Sequence, residues 1–255
     1  MPRIDLNCDM GESFGVYHIG ADEDAMMELV TSANIACGFH AGDPRIMDRT
    51  VRAAVSHGVA VGAHPSHYDL RGFGRRPVLA SPDEVEADVL YQVAALAGFA
   101  RAHGVELVHV KPHGALYNQA VADEELSGAI ARGVARAGKD LVFVGLATSS
   151  VMKRAAEAEG LRFAGEAFAD RVYNPDGTLQ SRRIAGSVIT DPEAAARQAV
   201  SIAAEGKVVA HDGSEVRLEA ETLCLHGDNP AALGNARRVR ESLEVAGVAI
   251  QGLRD

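Results

Sequence analysis

The sequence predicts an α/β fold, a seven-stranded (β/α) barrel, and two observations carry that expectation. Short apolar runs alternate with alanine-rich helical stretches seven times along 255 residues, and most runs are polar on one face only. Strands separated by helices of this length pair in parallel through right-handed crossovers. That string fits an open doubly wound sheet as well as a closed barrel. An open sheet covered on both sides reads apolar on both faces. A barrel with helices outside and a polar site inside reads apolar on one face, as this sequence does. One barrel domain is therefore expected over residues 1–255.

The first strand, Ile4 to Asp9, sets the pattern: Ile4, Leu6 and Cys8 share one face, and Asp5, Asn7 and Asp9 share the other. A helix is expected over Asp22 to Val30. The strand Ala33 to His40 follows, with Ile35, Cys37 and Phe39 against Asn34, Gly38 and His40. After a helix over Pro44 to His57 comes Val59 to His64, with Val59 and Val61 against Gly62 and His64. The long helix Pro82 to His103 opens on "SPDE", where Ser81 can cap and Glu84 can answer it. The strand Leu107 to Pro112 sets Val108 and Val110 against His109 and Lys111, and His113 continues that face. The remaining expected elements are the helix Asp123 to Ala137, strand Leu141 to Gly145, helix Ser149 to Glu159, strand Arg162 to Phe168, helix Pro192 to Glu205, strand Thr222 to His226 and helix Pro230 to Ala246. Gly58, Gly104, Gly138, Gly160, Gly206 and Gly247 each follow a helical stretch, where a residue able to take positive φ ends it.

Composition narrows the function. Hydrophobic residues make up 47% of the chain, and no apolar run approaches the roughly 20 residues of a spanning helix. A formal charge of −10 argues against nucleic acid and against an acidic membrane surface as partners. "MPRIDLNCDMGE" is acidic where a secretory signal would be basic and then apolar, and Cys8, Cys37 and Cys224 are odd in number and widely spaced. A cytoplasmic protein with reduced thiols is expected. No GxxxxGK[ST] or GxSxG motif occurs, so neither a P-loop ATPase nor an α/β-hydrolase is indicated.

In a barrel, the polar strand ends converge at the C-terminal mouth. The groups gathered there are Asp9 and Glu12, His40 and Asp43, His64 and His67, Lys111 and His113, Asp170 and Arg171, and His226 and Asp228. So many ionisable groups on one inner surface point to a hydrated working pocket, because burying each without compensation costs several kcal/mol. "FHAGD" and "AHPSH" raise a divalent metal, but neither is a strong ligand spacing. Proton transfer and hydrogen bonding are the preferred roles, with no metal ligand assigned. "DLRGFGRRP" reads as a mobile loop whose Arg71, Arg75 and Arg76 can clamp an anion, and "ADRVYNPDGTLQSRR" as a lid.

"DLNCDMGESFG", "SANIACGFHAGDP", "GVAVGAHPSHYDLRGFGRR", "HVKPHGALYN", "FADRVYNPDGTLQSR" and "CLHGDNP" resemble, in order and over nearly the whole chain, the lactam-utilization LamB/YcsF family. Ser66 stands where glycine is commoner, and Asn229 where threonine is. The resemblance implies a barrel like those of the glycoside hydrolase/deacetylase superfamily. It also implies ATP-dependent opening of 5-oxoproline to glutamate with two partner subunits, B and C, of a 5-oxoprolinase; the lack of a P-loop in this chain fits ATP held largely by those partners. By their position at the strand ends, Asp9, Glu12, His40, Lys111 and His113 are the catalytic candidates: Asp9 or His113 as general base, Lys111 and His40 facing developing negative charge. Asn7, Asp43, His64, Arg75, Asp170, Arg171, His226 and Asp228 are the substrate-binding candidates, with Arg75 or Arg171 on the substrate carboxylate. Alanine at Lys111 or His113 is expected to fold normally and lose turnover. The alternatives are a stand-alone metal-dependent deacetylase or amidohydrolase, and a non-catalytic subunit that binds the lactam.

Overall fold

The computed structural model describes residues 2–20, 22–225 and 232–254. Its elements in chain order are β1 (Arg3–Met10), α1 (Glu23–Met27), β2 (Ser32–Ala36), α2 (Pro44–His57), β3 (Ala60–His64), α3 (Pro82–Ala102), β4 (His109–Val110), α4 (Gly114–Ala120), α5 (Glu124–Ala137), β5 (Val142–Leu146), α6 (Ser150–Ala158), β6 (Arg162–Phe168), α7 (Pro192–Val200), β7 (Lys207–Val209), β8 (Glu215–Arg217), β9 (Thr222–Leu225), α8 (Ala232–Val245) and β10 (Ala249–Ile250). Strands β1, β2, β3, β4, β5, β6 and β9 run parallel in that order, and β9 returns to pair with β1, which closes the seven-stranded barrel. The open-sheet alternative falls with that closure.

Side-chain parity explains how the barrel is filled. Ile4, Leu6, Cys8, Ala33, Ile35, Val61, Val110, Phe143, Leu223 and Leu225 point outward into one core with the helices. Each large apolar side chain buried there contributes about 1.5–3 kcal/mol. The opposite faces line the interior, which is polar on β1 to β4 and on β9. Strand β5 departs from the expected split: Val142 and Val144 join Ala164 and Leu253 in a small separate apolar cluster. Leu253 comes from the C-terminal segment, held by Arg162, whose Nη1–H donates to its carbonyl.

Local signals place the helices. Ser81 and Glu84 form the expected reciprocal cap of α3. Two expected strands are shorter than the apolar runs suggest. Gly38, at φ 93, turns the chain out of β2, so His40 stands beyond the strand end. The β4 ladder is brief, but Lys111 N–H still donates to the Ala63 carbonyl and His113 N–H to that of Pro65. These bonds carry the alternation of His109, Lys111 and His113 past the ladder. The hairpin β7–β8, α4 and β10 have no counterpart in the sequence reading, being two to seven residues long and without a clear period. No helix among the described residues is long and apolar enough to cross a membrane.

Candidate active site

The barrel interior is a stack of hydrogen-bonded polar layers. At the lower level the Asp5 carboxylate accepts from Thr31, Ser32 and Thr222; burial pushes its pKa up, and these donors oppose that. Above it Asn7 Nδ2 donates to Thr222, and Asn34 Nδ2 donates to both Asn7 Oδ1 (2.7 Å) and Asp9 Oδ1 (2.9 Å). His109 Nε2 donates to Asn34 Oδ1 at 2.7 Å. Its ring occupies the space over Gly62, where a Cβ would lie 2.1 Å from Nε2. His109 is thus a structural strut one layer below the mouth.

Burial pulls the His109 pKa down to about 3, with Lys111 adding to the effect. The unfolded chain titrates near the ordinary 6.5 and so binds more protons than the folded chain between those values. Stability is therefore expected to fall as pH drops from about 6.5 towards 3, by about 1.4 kcal/mol per pH unit for each such imidazole. Urea unfolding from pH 7 to 4 checks this: His109→Gln, which keeps a donor for Asn34, should flatten the slope by about one proton. An unchanged slope would contradict the assignment.

Lys111 occupies the centre of the next layer. Its ammonium lies 2.9 Å from Asp9 Oδ1, 2.8 Å from Glu166 Oε1, and 3.2 Å from both Asn7 Oδ1 and Cys224 Sγ. Burial opposes the charge, but Asp9, Cys224 and Glu166 outweigh it and hold the pKa well above the ordinary lysine value. Burial pushes the Cys224 and Cys8 thiols up, so both stay protonated. The reading that Lys111 faces developing charge directly is modified by this geometry: its hydrogens are committed to neighbours that already surround it.

The mouth itself gathers Glu12, His40, His64 and His113, whose nearest donor atoms all lie within 4.8 Å of one another, a set that could hold a metal ion. His40 Nε2 is 3.1 Å from Glu12 Oε1, and His64 Nε2 is 3.2 Å from Asp9 Oδ2. Burial holds His40 and His113 well below the ordinary imidazole pKa, so both are neutral at pH 7. A neutral His40 can hydrogen-bond a developing charge but does not meet it as a cation.

Two loops enclose this mouth. Asp69 accepts from the backbone N–H groups of Gly72 and Arg76 and pairs with the Arg76 guanidinium, so the "DLRGFGRRP" segment is pinned at its root. That removes Arg76 as an anion clamp. Gly74, at φ 62, lies against the two rings: a Cβ there would come within 2.8 Å of His113 Cδ2 and of His40 Cβ. Arg75 extends over the Phe73 ring, 5.1 Å from its centre, and faces the cavity. Across the mouth Arg171 donates to the Gln180 and Ser187 carbonyls and ties down the 172–187 segment. Burial lowers its pKa to about 10, still a cation at pH 7. Between these walls lies a cavity of about 1000 Å³ that reaches Asp9, Glu12, His64, Lys111, His113, Arg75 and Arg171.

The structure thus brings together Asp9, Glu12, His40, His64, Lys111 and His113, with Asn7 beneath them. Asp170 is buried beside Arg171 at the end of β6, outside the cavity lining. Asp43 is elsewhere: its carboxylate caps α2, accepting from Arg45, Ile46 and Gly15 N–H groups, and those bonds lower its pKa. Its sequence spacing read as a site residue because a cap and a ligand both favour aspartate after a strand. His226 and Asp228 lie outside the described residues. Sequence reasoning missed Glu166, which is 0% exposed and lies on the inward face of β6. The parity of Ala164, Glu166 and Phe168 carried that signal, but two apolar neighbours on the same face concealed it.

Comparison with known proteins agrees with this architecture. Residues 4–255 match the LamB/YcsF family. The A subunit of 5-oxoprolinase from Symbiobacterium thermophilum is 58% identical, over 97% of this chain and 94% of that protein. The Bacillus subtilis protein of the same name is 49% identical, over 99% and 98%. The crystal structure of the lactam utilization protein from Thermus thermophilus superposes with a TM-score of 0.92 at 50% identity, covering 98% of this chain and 99% of that one. The chain belongs to the LamB/YcsF family.

Proposed function

We propose that this chain is the A subunit of an ATP-dependent 5-oxoprolinase, opening the lactam of 5-oxoproline to L-glutamate in the cytoplasm together with partner subunits B and C. The observation that carries the reading is the Asp9–Lys111 pair at the floor of the cavity: a carboxylate, 15% exposed, held at 2.9 Å by a buried ammonium and facing the space a substrate would enter. The full-length relatives named as the A subunit of 5-oxoprolinase support it.

A lactam carbonyl is resonance-stabilised and resists water. Transfer of the ATP terminal phosphoryl group to its oxygen activates the carbon. Water then adds, the ring nitrogen leaves with a proton, and the ring opens to an acyl phosphate; a second water releases glutamate and phosphate. Asp9 is placed to take the proton from the attacking water, being more exposed to the cavity than His113. Lys111 pairs with Asp9 and orients it, and Arg75 is the guanidinium that receives the substrate carboxylate in this reading. The partner subunits supply the phosphoryl transfer in this reading.

The test is glutamate release from 5-oxoproline and ATP by this chain alone, by B and C without it, and by all three. Release only from the complete mixture is the expected result. The Glu12, His40, His64 and His113 cluster favours one rival, a metal-dependent amide hydrolase, and release by this chain without ATP would establish that instead.

A further inference from the structure

Two imidazoles of the mouth have one nitrogen each fixed from outside. His64 Nδ1 lies 2.7 Å from the Lys111 carbonyl, and His113 Nε2 lies 3.0 Å from the Phe73 carbonyl. A carbonyl only accepts, so both of these nitrogens carry the hydrogen. The other two, His64 Nε2 and His113 Nδ1, face inward and converge at 2.9 Å. With the far nitrogen of each ring fixed as a donor, both inward nitrogens are presented to one point as ligands.

Glu12 closes the same cluster, its Oε1 3.6 Å from His113 Nδ1. The outer supports are also those of a metal centre, where each ligating imidazole donates its second N–H to a fixed acceptor. One of those acceptors belongs to Phe73, which holds a left-handed backbone, φ 55, that a non-glycine residue adopts only at a cost.

We propose that the mouth binds one first-row divalent ion of the zinc–manganese class through His64 Nε2, His113 Nδ1 and Glu12. His64 Nε2 and His113 Nδ1 are 2.9 Å apart, His113 Nδ1 and Glu12 Oε1 are 3.6 Å apart, and the three donors lie within 4.8 Å of one another. Ligands at about 2.1 Å from one ion lie roughly 3.0–3.4 Å apart, so little movement is needed to seat it. Mixed imidazole and carboxylate donors suit zinc or manganese, whereas magnesium and calcium prefer oxygen alone. His40 is a positioning residue. Its ring stacks on His113 at 3.7 Å and 5°, so the two rings cannot aim lone pairs at one point, while its Nε2 reaches Glu12 Oε1 and steadies that carboxylate. Such an ion would act as a Lewis acid beside the substrate amide. Its seat follows from the donors alone, whichever amide enters the cavity.

The test reads binding directly. The chelator-stripped chain is titrated with Zn²⁺ or Mn²⁺ by calorimetry, and its metal content is measured by atomic emission. One equivalent per chain is expected, with affinity lowered at least about 100-fold in His64→Ala and His113→Ala. His40→Gln should keep the stoichiometry with about 10-fold weaker binding. His57→Ala, at an exposed position, should match the parent. Should the buried substitutions unfold the chain, the unsubstituted protein loaded with Mn²⁺ remains decisive: electron spin-echo spectra should show imidazole nitrogen coupling. Failure to bind a stoichiometric ion, binding unaffected in folded His64→Ala, or no nitrogen coupling would overturn the site and assign the gap to a shared proton.

Discussion

Replacing Lys111 with methionine is expected to destabilise the fold by about 3–5 kcal/mol, a drop of roughly 6–20 °C in Tm for a chain of this size. The ammonium is 4% exposed and compensates Asp9 and Glu166 together. Removing it leaves Glu166, fully buried, without its counter-charge, and the cost of an uncompensated buried carboxylate is large. This replaces the sequence-level expectation that a Lys111 variant folds normally. A sequence can place Lys111 on the inner face, but it does not reveal that Glu166, two strands along on β6, reaches it at 2.8 Å. The diagnostic is a double-substitution cycle. Glu166→Gln in the Lys111→Met background should recover part of the loss, because the carboxylate that needed the ammonium is gone. Equilibrium urea unfolding measures all four proteins. A Lys111→Met chain within about 0.5 kcal/mol of the parent would show that the pair contributes nothing net.

The barrel was legible because its strands obey period two. Ile4, Leu6 and Cys8 outside with Asp5, Asn7 and Asp9 inside is a local pattern, and the same split on β3, β4 and β9 gives closure more support than any single strand. Strand β5 was not legible in this way, since Val142 and Val144 face inward yet are apolar, packing on Leu253 from the far end of the chain. The site was legible as a set of strand ends. Its pairings were not: which histidine meets which carboxylate depends on register across strands as far apart as Asp9 and Lys111. Asp43 shows the opposite limit. A carboxylate immediately before a helical run fits both a cap and a ligand, and only its bonds to Arg45 and Ile46 N–H decide.

Asp9→Asn is expected to lower glutamate formation by the complete enzyme about 10²–10⁴-fold, the usual contribution of a general base. Asparagine keeps the Oδ1 acceptor that Asn34 and Lys111 address, at 2.9 Å each. The layer beneath should therefore hold, and unfolding should shift far less than for Lys111→Met. What the substitution removes is the charge and the basicity facing the cavity. Kinetics separate the roles: loss of a base lowers kcat with KM nearly unchanged, whereas loss of a substrate contact raises KM first. A third outcome identifies a binding subunit. If Asp9 only helps to hold the lactam for the partners to open, turnover at saturating 5-oxoproline survives while substrate affinity falls. Retention of kcat within about threefold would exclude Asp9 as the base.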